Sequence, residues 1–136
     1  MLEEAQPGGS PMPAPGRSRI LIVEDEPDVR RVLARFVRLL GADPVVAEDG
    51  EQGWELARLA DPAFDLVVTD SRMPRMTGRA LIAKLREQNP GLPILRVSGS
   101  DGLSGDPPIP DVVTLRKPFT LDEFVLAVRE TLERKS

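Results

Sequence analysis

The chain contains no cysteine. That excludes a disulfide framework and thiolate chemistry. It contains no histidine either. The side chain that most often serves as general base, metal ligand or activator of a nucleophile is therefore missing, and any bound metal must be held by oxygens. Aromatic residues make up only 4% of the chain, and the single tryptophan, Trp54, falls at helical spacing, where it reads as core rather than as a binding aromatic. An excess of basic charge is also lacking: the net charge is -4 and the isoelectric point is near 4.9. A nucleic-acid footprint would be basic, so no nucleic-acid partner is expected. No apolar run approaches the roughly 18 residues needed to span a bilayer. Residues 1–18 lack the basic start and apolar segment of a signal peptide, so no membrane partner and a cytoplasmic location are expected. What remains is 136 residues, 40% hydrophobic and 29% charged, which fits one ordinary domain with a tail.

The tail is residues 1–18, where Pro7, Pro11, Pro13 and Pro15 stand among Gly, Ser and Ala. Such composition predicts a disordered segment, with the folded domain running from 19 to 136. Arg19–Val23 is a continuous apolar run, as in a strand covered on both faces of a parallel sheet. It is closed by Glu24-Asp25-Glu26-Pro27. Pro27 suits a first helical position. Val29, Val32, Leu33, Phe36, Val37 and Leu40 then recur at helical spacing up to a stop at Gly41. Pro44–Ala47 predicts a second strand. Asp49-Gly50 turns into a helix carrying Trp54, Ala57 and Leu59. Phe64–Thr69 predicts a third strand, delivering Asp70 to its carboxyl end. Leu81, Ile82 and Leu85 mark a third helix, Pro93–Val97 a fourth strand and Val112–Leu115 a fifth. Thr120 and Glu123 form a capping box on a last helix with Leu121, Phe124, Val125, Val128 and Leu132 on its inner face.

This alternation predicts an α/β fold, a doubly wound five-stranded parallel sheet with helices on both faces and, if flavodoxin-like, the strand order 2-1-3-4-5. One helix is missing from the pattern. Between Ser98 and Asp111 the chain reads Ser-Gly-Ser-Asp-Gly-Leu-Ser-Gly-Asp-Pro-Pro-Ile-Pro-Asp. Glycine costs about 1 kcal/mol and proline about 3 kcal/mol inside a helix. A fourth helix there is degenerate or replaced by a loop, with at most one turn around Asp101–Leu103.

The carboxyl edge of such a sheet is where ligands bind, and the strand ends supply a coherent set to it. Strand one brings Glu24 and Asp25, strand three Asp70, strand four Ser98 and strand five Lys117. Converging carboxylates repel and need a cation to coexist. Oxygen ligands alone select a hard ion, and Mg²⁺ fits because it keeps waters and accepts phosphate oxygens. A carboxylate can act as a nucleophile and form an aspartyl phosphate. Ser98 and the Lys117 ammonium would then share the charge of the transferred group, with Gly99 leaving room for it. Taken singly, each residue also fits a helix cap or a solvated surface charge. Glu26 and Asp28 read as first-turn acids that suit the helix dipole.

Four motifs carry a family resemblance: Ile20-Leu-Ile-Val-Glu24-Asp25-Glu26-Pro27, Asp70-Ser-Arg-Met73-Pro74-Arg-Met76-Thr-Gly78, Pro93-Ile-Leu-Arg-Val-Ser98-Gly99 and Lys117-Pro118-Phe119. Together they make the chain from about Arg19 to Arg134 resemble the receiver domain of two-component response regulators. Gly78-Arg79-Ala80-Leu81 and Val97-Ser98-Gly99 look most like receivers attached to hybrid sensor kinases. The resemblance implies that Asp70 is the phosphoacceptor, that Asp25 ligates Mg²⁺ directly and Glu24 through water, and that the backbone carbonyl of Arg72 is a further ligand. It implies that Ser98 bonds the phosphoryl oxygen and that Lys117 pairs with Asp70 and then with the phosphoryl group. The implied donor is a phosphohistidine on a histidine kinase or a histidine phosphotransfer protein. Such a domain is not an enzyme beyond assisting its own phosphorylation and dephosphorylation.

The chain departs from the family at three places. The helix between Ser98 and Lys117 is replaced by Gly and Pro. Thr114 stands three residues before Lys117, where the family commonly has an aromatic that follows the Ser/Thr inward on phosphorylation. Arg96 stands in strand four where an apolar residue is usual, and needs a partner or a path to solvent. Only Arg134-Lys135-Ser136 follows the last predicted helix, so signalling through protein contacts is expected. Two other readings stay open on the residues alone. One is an interaction module on a receiver scaffold that works unphosphorylated. The other is a small-molecule phosphohydrolase with an Asp nucleophile, but Arg72 occupies the place of its usual second acid.

Overall fold

In a computed structural model, residues 17–99 and 107–134 are described. They form five strands and four helices: β1 (Arg19–Val23), α1 (Pro27–Leu39), β2 (Asp43–Ala47), α2 (Gly50–Leu59), β3 (Leu66–Asp70), α3 (Gly78–Gln88), β4 (Ile94–Ser98), β5 (Val113–Arg116) and α4 (Leu121–Arg134). All strand pairs are parallel and the sheet order is β2-β1-β3-β4-β5, as the alternation of apolar runs and helical patterns predicts. The flavodoxin-like order places β1, β3, β4 and β5, whose ends carry the acids, the serine and the lysine, side by side.

Alternation along the strands explains the two layers. Ile20, Ile22, Leu66, Val68, Leu95 and Val97 face α1 and α4, where they pack with Leu33, Val37, Phe124 and Val128. The intervening residues Leu21, Val23, Val67 and Ile94 face the other way and pack with Leu81, Ile82 and Leu85 of α3. Because successive side chains point to opposite faces, an uninterrupted apolar strand is required wherever both faces are covered. Trp54 of α2 is half-buried against this second cluster, with the Lys84 ammonium 5.3 Å from its ring.

The helix ends follow their local chemistry. Pro27 opens α1, and Gly41 just beyond it takes a φ of +87°, where glycine carries no Cβ penalty. The Asp49 side chain caps α2 through Gln52 N–H, and Thr77 caps α3 through Ala80 N–H. The capping box of α4 is reciprocal: Thr120 N–H donates to Glu123 Oε1 at 2.8 Å, and Glu123 N–H donates to Thr120 Oγ1 at 3.1 Å.

Several expectations at the level of faces and boundaries are corrected. β3 starts at Leu66 rather than Phe64 and includes Asp70; Phe64 is nonetheless buried in the second cluster. Val32, Leu59 and Leu132, which share the apolar spacing of their helices, are exposed, because the inner stripe is narrower than the apolar pattern. β4 and β5 are each shifted by one residue, to Ile94–Ser98 and Val113–Arg116, and β2 starts one residue early, at Asp43.

Between β4 and β5 the described residues carry no helix. The turn expected at Asp101–Leu103 lies outside the described residues. Beyond it, Ile109 and Val112 are buried in the second cluster. Arg86 of α3 donates to the carbonyls of Pro110 and Asp111 at 3.0 and 3.1 Å, and Arg79 donates to that of Pro107. At the other end of the described chain, Arg17 pairs with Asp43 at 2.7 Å. No helix among the described residues is long and apolar enough to cross a membrane.

Candidate phosphoacceptor site

β1 ends where its apolar run meets Glu24. The β1–β2 ladder continues one step further, with Glu24 N–H donating to the Ala47 carbonyl at 3.1 Å, and Arg30 of α1 donates to the Glu24 carbonyl at 2.8 Å. The acid turn is thus held from both sides. Arg30 is one of several arginines on α1, and nothing in the sequence distinguishes it from its solvated neighbours.

β3 delivers Asp70 to the same edge. Its register with β4, Asp70 opposite Val97, extends one residue on, where Ser71 N–H donates to the Val97 carbonyl at 2.9 Å. The loop closes through Gly78 N–H on the Ser71 carbonyl at 3.1 Å. Gly78 has no room for a side chain, since a Cβ there would lie 2.2 Å from the Asp70 carbonyl oxygen. The closeness of Gly78 to the Asp70 backbone is visible only in three dimensions.

β4 and β5 bring Ser98 and Lys117 together. Ser98 pairs with Arg116, and Lys117 N–H donates to the Ser98 carbonyl at 2.8 Å. The turn after Lys117 is anchored by Phe119, whose ring contacts Phe36 and Phe124 with centroids 6.2 Å away in each case. A three-phenylalanine cluster linking α1, this turn and α4 therefore fixes the backbone that carries the lysine. A Cβ at Gly99 would meet nothing within 4 Å, so the space beside Ser98 is open among the described residues whether or not residue 99 is glycine.

The side chains converge. Glu24, Asp25 and Asp70 each offer a carboxylate oxygen within 4.8 Å of the others. Lys117 Nζ lies 3.3 Å from Asp70 Oδ1, 3.4 Å from Glu24 Oε1 and 3.8 Å from Glu26 Oε1. Glu26 thus adds an exposed acid to the lysine's surroundings that its reading as a first-turn acid alone does not include. Arg72 sits exposed in the loop two residues after Asp70.

Burial dominates the electrostatics. Glu24 is fully buried, and its pKa is pushed up to about 7, first by burial and then by the Asp70 charge, against the Glu26 N–H and Lys117. Burial also raises Asp70, opposed mainly by Lys117. For Lys117, burial works to lower the pKa but is outweighed by Asp70 and Glu24, and the net shift is upward. Glu24 Oε2 accepts from Glu26 N–H at 3.1 Å. Glu24 Oε1 is buried and makes no well-aligned hydrogen bond among the described residues; the cation beside it is Lys117 Nζ at 3.4 Å, which it shares with Asp70.

That arrangement tests the fit to a cation. One ammonium shared by buried carboxylates leaves negative charge uncompensated, and three acids around one point repel. A hard divalent ion relieves both, and the all-oxygen donor set suits Mg²⁺. The residues present fit the ion.

The two departures in β4 and β5 meet each other. Arg96 is 2% exposed, and its Nε donates to Thr114 Oγ1 at 3.2 Å. Arg96 and Thr114 are register partners. The hydroxyl where the family commonly has an aromatic is thus a hydrogen-bond partner of the buried arginine.

The sequence model of the response regulator receiver domain matches residues 20–106. The probable transcriptional regulatory protein TcrX of Mycobacterium tuberculosis is 36% identical over 124 residues, covering 85% of this chain and 50% of TcrX. The sensor protein EvgS of Escherichia coli K12 is 44% identical over 84 residues, 62% of this chain and 7% of EvgS. The chain therefore spans about half the length of the first relative and a small part of the second. Among solved structures, a response regulator receiver protein from Sinorhizobium medicae superposes with a TM-score of 0.79 at 27% identity, covering 89% of this chain and 98% of that one.

Proposed function

The chain belongs to the response regulator receiver family of two-component systems, and from that premise we propose that Asp70 is its phosphoacceptor. The observation that carries the reading is the convergence of Glu24, Asp25 and Asp70 on one point with Lys117 Nζ 3.3 Å from Asp70 Oδ1. We assign residues 19–136 to the receiver domain and residues 1–18 to the segment that precedes it.

An Asp70 carboxylate oxygen attacks the phosphorus of a phosphohistidine on a histidine kinase or phosphotransfer protein. The new O–P bond forms as the P–N bond breaks, and the imidazole leaves. Asp25, Asp70 and the Arg72 carbonyl would hold Mg²⁺, with Glu24 reaching it through water. The bound ion would supply positive charge to stabilise the transferred phosphoryl group. Lys117, already paired with Asp70, moves its pairing to the phosphoryl group, and the Ser98 hydroxyl donates to one phosphoryl oxygen. Preorganised cations of this kind are the main means by which phosphoryl transfer is accelerated. Hydrolysis by water returns Asp70 to its free form. The Arg96–Thr114 pair replaces the family's aromatic switch, and output runs through protein contacts. Beryllofluoride with Mg²⁺ mimics the phosphorylated state, and its perturbation of the amide spectrum around Asp70 and Lys117 tests the proposal; an Asp70→Asn protein responding as wild type does would refute it.

A further inference from the structure

Resting on the reading of Asp70 as a Mg²⁺-dependent acceptor, we propose that Arg75 is a positioning residue for that chemistry: it fastens the loop after Asp70 to the N-terminus of α2 and so fixes the stretch that carries Arg72. Three observations meet at this point. First, Arg75 has a φ of +69°. An arginine gains nothing from the left-handed region and stays there only when its surroundings hold it. Second, its guanidinium is shared between two acids at the start of α2, the N-cap Asp49 and Glu51. Nη2 donates to Asp49 Oδ2 at 2.6 Å, and Nε lies 3.5 Å from Glu51 Oε1. The other oxygen of Asp49 caps α2 by accepting from Gln52 N–H at 2.8 Å, so one carboxylate ties the helix end and the loop together. Third, the two backbones touch beside that tie. A Cβ at Gly50 would lie 2.6 Å from the Met76 carbonyl oxygen and 2.7 Å from Met76 Cβ.

The near end of the loop is fixed by Ser71 on the sheet and by Met73, which is buried in the second core cluster. Arg72 lies between that fastening and Arg75. Asp49 is held below the usual carboxylate range by the Gln52 N–H and by Arg75, in keeping with a formed pair. An exposed ion pair on its own contributes little to stability. What separates this one from a surface decoration is its coincidence with the left-handed residue and the glycine cradle, in the loop that would supply a metal ligand. Residues that orient metal ligands without touching the ion typically change affinity by 10–100-fold when removed.

Calorimetric titration with Mg²⁺ of the wild type, Arg75→Ala, Arg75→Lys, Asp49→Asn and the Arg75→Ala/Asp49→Asn double variant tests this, with thermal unfolding in the absence of the ion as control. Asn keeps an oxygen for the Gln52 cap while removing the charge. The expected result is Mg²⁺ binding about tenfold weaker in Arg75→Ala, partial recovery in Arg75→Lys, and a double variant no weaker than the poorer single one, with unfolding temperatures close to wild type. Affinity within twofold of wild type in Arg75→Ala overturns the proposal, and so do additive losses in the double variant. A wild type that binds no Mg²⁺ would instead overturn the phosphoacceptor reading itself.

Discussion

Lys117 Nζ lies 3.3 Å from Asp70 Oδ1 and, from the same position, 3.4 Å from Glu24 Oε1. One ammonium therefore compensates two buried carboxylates. Removing it leaves both acids without their cation, which is the costly way to break a buried pair. Lys117→Met is expected to be destabilised at pH 8 much more than at pH 5, where protonation neutralises the acids instead. Urea unfolding at the two pH values measures this; an equal loss at both would show that the lysine is not what the acids depend on.

Glu24 gives a pH dependence with a definite sign. Its folded pKa of about 7 lies above the ordinary 4.5, so the folded state binds the proton more tightly than the unfolded state does. Metal-free stability is then highest below about pH 4.5 with respect to this group and falls as pH rises towards 7, by roughly 3 kcal/mol in all. Glu24→Gln is expected to flatten that part of the stability curve. Because Mg²⁺ favours the ionised form, its affinity is expected to rise with pH over the same window. A wild-type curve flat between pH 5 and 7 without metal would contradict the assignment.

Gly78 has its Cβ position 2.2 Å from the Asp70 carbonyl oxygen, and that neighbour is backbone, which cannot swing away. Gly78→Ala is expected to cost about 1–3 kcal/mol, as overpacking does, and to slow phosphorylation by acetyl phosphate by displacing Asp70. An alanine variant with wild-type stability and rate would mean that the start of α3 shifts freely.

Arg96 and Thr114 offer a double-mutant cycle. Thr114→Val removes the acceptor of Arg96 Nε, and an unmet buried donor costs about 1–3 kcal/mol. In an Arg96→Met background the same change is expected to cost little. Unfolding free energies of the four proteins give the coupling, and strict additivity would show that the pair is not a unit.

The fold was legible in the sequence because the same residues carry several signals at once. The run Ile20–Val23 is apolar without interruption, which only a doubly covered strand requires, and it ends in the acids that such a sheet gathers at its edge. The acid pair, Asp70, Ser98 and Lys117 could be placed together because each follows a strand and parallel strands share one carboxyl edge. The supports of the site were not legible. Arg30, the three phenylalanines and the closeness of Gly78 to Asp70 depend on which residues meet across elements, and local spacing does not encode that. The exposure of Val32 and Leu132 shows the converse, since an apolar residue at helical spacing is buried only if the facing layer extends that far.

On the proposed reading, Asp70 accepts a phosphoryl group with the help of Mg²⁺ and Lys117. Intact-protein mass spectrometry after incubation with acetyl phosphate tests it most directly. One added phosphoryl group is expected in the wild type with Mg²⁺, none with a chelator present, and none in Asp70→Asn. A phosphoryl group carried equally by Asp70→Asn, or gained equally in the presence of chelator, would contradict it.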